Sequence, residues 1–116
     1  MTQIFEQVSS TGTYVQIVAV REPYNGNLYR AAFGVTTLDG MFDMAAAEDA
    51  LPILDAAIAV MDANKATWKY TYTDPADPSP VGVKYNRMRN VIAGMRNFCA
   101  TQGGTVNGAF TDPVNP

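Results

Sequence analysis

The sequence has no histidine and a single cysteine, Cys99, among 116 residues. Without histidine the commonest general base is missing, and no Ser-His-Asp or Cys-His nucleophile can be assembled. One cysteine excludes an intrachain disulfide, and with no histidine beside it the zinc and iron–sulfur frameworks are excluded too. Charged side chains are also scarce, at 16%, against the usual quarter of a soluble domain. No apolar run approaches the ~20 residues of a membrane-spanning helix, and no basic-then-apolar secretory pattern opens the chain. The expected compartment is therefore the cytoplasm (host cytosol or virion if the chain is viral). Glycines are dispersed without a P-loop or dinucleotide fingerprint, so no cofactor is expected.

What charge there is has been sorted along the chain. The net charge is −3, which weighs against a sequence-independent nucleic-acid binder, because such binding draws on a basic footprint. Residues 37–64 hold six acids (Asp39, Asp43, Glu48, Asp49, Asp55, Asp62) and no Lys or Arg. Residues 78–111 hold four bases (Lys84, Arg87, Arg89, Arg96) and no acid.

Hydrophobic periodicity predicts an α+β domain. Thr13–Glu22 and Asn27–Leu38 are rich in β-branched and aromatic residues and flank Asn25-Gly26, the dipeptide of a type I′ turn, so they read as a hairpin. Gln3–Val8 reads as a short edge strand. A helix is expected from an Asp43 cap to Asn64, interrupted by Pro52. Its apolar seam (Ala47, Leu51, Leu54, Ile58, Met61) is widened by Ile53, Ala57 and Val60, more than a one-sided helix requires. Thr67–Thr73 alternates as a strand with Trp68, Tyr70 and Tyr72 on one face. A proline loop over 74–80 precedes a second helix from Val83 to Thr101, with Tyr85, Met88, Val91, Ile92, Met95, Phe98 and Cys99 on its seam, ended by Gly103-Gly104. The expected architecture is a two-layer sandwich, β-β-β-α-β-α, with an antiparallel sheet of three or four strands and two helices on one face. Residues 1–104 form this domain, and 105–116 an extended tail or a short edge strand.

Three constellations stand out. Glu48, Asp55 and Asp62 recur every seven residues along one edge of the first helix, and Arg89 and Arg96 do the same along the second. Like-sided ridges pair when helices are antiparallel. A strand between two helices leaves them parallel, so the expected pairing is between copies of the chain; otherwise both ridges are solvated flanks. The aromatic row Trp68, Tyr70 and Tyr72 reads either as a sheet face under the helices or as a stacking platform for a flat ligand. The carboxylate pairs Glu48-Asp49 and Asp74/Asp77 do not converge, which leaves no catalytic or metal-ligating set. Cys99 lies on the apolar seam as a core residue.

These features lead to a non-enzymatic structural or interaction protein. It acts as a homo-oligomer or as one subunit of a larger assembly, of the kind found among viral structural and accessory proteins. Nucleic acid and membrane are not expected partners. Two other readings remain open. One is an acidic inhibitor or decoy that occupies a basic nucleic-acid-binding surface; the other is a small-ligand module built on the aromatic row.

Overall fold

The computed structural model describes residues 2–21, 26–71 and 81–114. Along the chain run β1 (Thr2–Val8), β2 (Tyr14–Arg21), α1 (Gly26–Phe33), β3 (Phe42–Ala46), α2 (Ala47–Ala63), α3 (Lys65–Thr71), α4 (Val81–Gln102) and β4 (Thr105–Thr111). The strands form one antiparallel sheet in the order β2-β1-β4-β3, so the α+β expectation holds.

β1 is interior rather than an edge, paired to β2 on one side and β4 on the other. Alternation along it sends Phe5 into the core, edge-on to Phe42 with ring centroids 5.8 Å apart. Gln7 points the same way. Its amide donates to the Met95 carbonyl at 2.9 Å and to Cys99 Sγ at 3.4 Å, so a buried polar side chain anchors α4 on the sheet. The hairpin of the fold is β1–β2, closed where the Ser9 amide donates to the Thr13 carbonyl and the Thr13 amide to Ser9 Oγ, both at 2.8 Å.

The segment 27–38, expected as the second hairpin strand, instead begins with helix α1. Leu28, Tyr29 and Ala32 are buried together at helical spacing, and Tyr29 stacks on Phe33, one turn away, at 6.5 Å. Asn25 lies outside the described residues. The helix expected from Asp43 starts later, because Phe42–Ala46 is taken by β3. Asp43 therefore caps nothing. Position Ala46 precedes the first turn without a side-chain cap, and the Ala47 amide donates to the Gly104 carbonyl at 2.9 Å. Pro52 lies inside α2.

The strand expected over 67–73 is also helical as far as α3 reaches. Asn64 closes α2, and its carbonyl accepts from the Trp68 amide at 2.8 Å, opening α3 after a single linking residue. No room is left for the chain to return to the sheet before α3, and this tertiary demand overrides a β-leaning composition. α4 matches its expected span within two residues and buries Tyr85, Met88, Ile92, Met95 and Cys99. Residues 105–111, expected as a tail or short edge strand, form β4 between β1 and β3.

That placement sets the helix layer. Ala46 pairs with Thr105, so α2 starts, and α4 ends, at the same end of the sheet. The two helices therefore run antiparallel, not parallel, and enclose one core with Phe5, Phe42, Val106 and Ala109 of the sheet.

Gly104 makes the entry into β4 possible. It has φ +82°, and a Cβ there would stand 1.7 Å from the Val8 carbonyl oxygen, an approach that only glycine allows. Gly104→Ala is expected to cost about 3 kcal/mol or more in urea denaturation. An unchanged midpoint would show that this crossing relaxes freely.

Candidate functional site

The structure brings the two charged ridges together within one chain. Arg89 Nε donates to Asp62 Oδ1 at 2.8 Å and an Arg89 Nη to Asp62 Oδ2 at 3.1 Å, a two-pronged pair. One helical repeat further on, Arg96 Nε donates to Asp55 Oδ1 at 2.8 Å. The expectation that these ridges pair between copies assumed parallel helices; antiparallel packing turns them towards each other inside the molecule. The same register places Gly103 opposite Glu48, and among the described residues Glu48 has no ion-pair partner.

Both pairs sit at the surface, with side chains 36–52% exposed. Exposed pairs of this kind contribute about 0–1 kcal/mol each, so they orient two helices more than they hold them. The hydrogen bond from Arg89, reinforced by its charge and that of Lys65, holds the Asp62 carboxyl below the usual carboxylate range. The same contact raises the Arg89 guanidinium further above its ordinary value.

Beside this pair lies an open cleft of about 360 Å³ lined by Asp62, Lys65, Tyr85, Asn86, Arg89 and Asn90. The Tyr85 hydroxyl donates to the Met61 carbonyl, and burial, then the Asp62 charge, pushes its pKa up. The cleft's one carboxylate is already bound by arginine, which makes it a poor proton acceptor. Among the described residues no three Cys, Asp or Glu side chains converge as metal ligands. Burial pushes the Cys99 thiol up, which disfavours the nucleophilic thiolate.

The aromatic row does not form as a sheet face. A helix turns about 100° per residue, so positions 68 and 70 lie on different sides of α3. Trp68 is half-buried against the core; the Tyr70 side chain and Tyr72 lie outside the described residues.

Sequence reasoning overlooked the outer face of the sheet. Glu6 of β1 accepts from the Tyr14 hydroxyl of β2 and, at 3.4 Å, from Asn107 Nδ2 of β4. Asn107 Oδ1 in turn accepts from the Met44 amide of β3 at 3.2 Å, so one polar chain crosses all four strands. Tyr14 and Met44 are 54% and 59% exposed. The Glu6 carboxylate raises the Tyr14 pKa. The alternation of β1 carried part of this signal, but the neighbours of Glu6 depend on pairings no local pattern reports.

The second overlooked feature is the outward side of α2. Pro52, Ile53, Ala56, Ala59, Val60 and Ala63 are all exposed, and they follow one another at helical spacing without a polar residue. Ile53 and Val60 are 41% and 37% exposed. The sequence showed the seam to be too wide, and of the excess the structure buries Ala57 and places Ile53 and Val60 on the surface.

The domain is α+β, and among the described residues no helix is long and apolar enough to cross a membrane. Compared with known proteins, the chain matches no family model, no curated protein and no solved structure.

The Asp62 linkage has a definite sign. A carboxyl whose pKa is lowered on folding adds stability above its unfolded pKa and loses it as pH falls through its folded value. The stability difference between the wild type and Asp62→Asn, measured by urea denaturation, is expected to be at most about 1 kcal/mol at neutral pH. It should shrink as the solution is acidified and in molar salt. A difference that grows on acidification would contradict the pairing.

Proposed function

We propose that this chain is a non-enzymatic structural or interaction protein that works as a homo-oligomer or as a subunit of a larger assembly, in the cytoplasm or in a virus particle. The exposed apolar side of α2 is the observation that carries this reading. Ile53 and Val60 gain about 1 kcal/mol each when their remaining exposed surface is covered. The alanines between them keep the ridge low enough for another element to approach closely. Intrachain pairing of Asp55 and Asp62 neutralises the acidic edge of α2 beyond its first turn, where Glu48 and Asp49 stand exposed.

The native mass of the full chain by sedimentation velocity tests this reading. It is expected to be a multiple of 12.5 kDa, and Ile53→Lys combined with Val60→Lys is expected to lower it while the circular dichroism spectrum stays unchanged. A wild type that sediments as a single chain at every concentration, with no partner bound, would remove the homo-oligomer.

A further inference from the structure

β2 is one of the two outermost strands, and among the described residues its hydrogen-bonded strand neighbour is β1 alone. The run Tyr14–Val18 has no charge and no proline, although sheet edges are ordinarily guarded by lysine, proline or a covering element. It ends at a bulge where Ala19 is the extra residue.

Among the described residues both α1 and α4 touch β2, and α4 is tied to the neighbouring β1 through Gln7. Arg89 and Arg96 face α2. At about 100° per residue, the flank of α4 turned away from α2 carries Arg87, Val91, Gly94 and Phe98, and it overhangs the β2 edge. Phe98 is half-buried and, among the described residues, stands outside the core cluster that takes up its neighbours Met95 and Cys99. Gly94 is exposed in mid-helix, where glycine is a poor helix former. A Cβ there would meet nothing, so no contact within the described chain requires its smallness.

We propose that this edge is the interface with a second copy of the chain. The two β2 strands pair antiparallel about a twofold axis near Ile17 and join the four-stranded sheets into one. The inference rests on the self-association reading above and names its surface. Paired strands lie about 4.8 Å apart. A helix standing over β1 and β2 therefore comes to roughly 10 Å from its symmetry mate, the distance of packed helices. Gly94 then lies at the helix crossing, and Phe98 covers Val91 of the other copy.

Charge selects the antiparallel arrangement. It sets the two α4 helices head to tail across the axis. It also brings Arg87 near the C-terminal end of the opposing α4, where the helix dipole favours a cation. A foreign strand would satisfy the β2 backbone but give Gly94 no helix to meet, so a second copy fits both features.

Sedimentation velocity over a concentration series, with backbone amide exchange on the same samples, tests the interface in the full chain. Gly94→Gln fills the open space with a better helix former, and Phe98→Lys charges the flank. Each is expected to weaken self-association at least tenfold with the fold retained by circular dichroism, and the Tyr14–Val18 amides should exchange faster on dilution. The α2 double variant should keep this pairing. An oligomer unaffected by Gly94→Gln and Phe98→Lys, or amide exchange independent of concentration, would overturn the β2 interface and leave self-association standing. A wild type monomeric throughout would overturn both.

Discussion

The structure depends on β4 lying between β1 and β3. This one insertion joins the last strand to the first and makes one sheet of the β1–β2 hairpin and β3. The chain's two ends meet where the Asp112 amide donates to the Thr2 carbonyl at 2.8 Å. It also sets the direction of both long helices, since the sheet end at which α2 departs is the end at which α4 must return. The junction before β4 concentrates the constraints. Gly104 passes against the Val8 carbonyl, its own carbonyl receives the first amide of α2, and the Gln102 carbonyl receives the Ser10 amide at 2.9 Å.

Antiparallel helices change the meaning of the sorted charge. Opposite ridges on two helices guide assembly between molecules only when they cannot reach each other within one. Here Asp55–Arg96 and Asp62–Arg89 meet inside the chain, so the polarity of 37–64 against 78–111 serves mainly to register α2 on α4. What remains for contact is apolar or backbone in character: the outward side of α2, and the β2 edge below the Gly94–Phe98 flank. Interfaces of that kind draw on desolvation and hydrogen bonding more than on long-range attraction.

Several elements are legible in the amino-acid pattern because their residues repeat at one period for long enough. The seam of α4 from Tyr85 to Cys99 covers four turns, and the core of α2 around Leu54 and Met61 nearly as many. The strands Gln3–Val8 and Tyr14–Arg21 are legible as strands, though their sheet positions are not. Short segments mislead. Over seven or eight residues Tyr29 and Phe33, four apart, satisfy both strand alternation and one helical turn, whereas Trp68 and Tyr70, two apart, fit strand alternation alone although α3 is helical. In α3 the connection to the preceding element decides, since a single residue links it to α2. Of the site, the heptad ridges and the over-wide α2 seam are readable; the Glu6–Tyr14–Asn107 chain is not, because Asn107 joins the β1–β2 hairpin from 101 residues beyond Glu6.

Residue order alone dictates which side chains must leave water, where the long helices lie, and that no histidine or intrachain-disulfide chemistry is possible. Tertiary packing was needed to make 105–111 a central strand, to set α2 against α4, and to bring the charged ridges together within the chain. The division has a physical cause. Burial and helix periodicity are properties of neighbouring residues, whereas strand order and helix direction follow from pairings between segments nearly the whole chain apart.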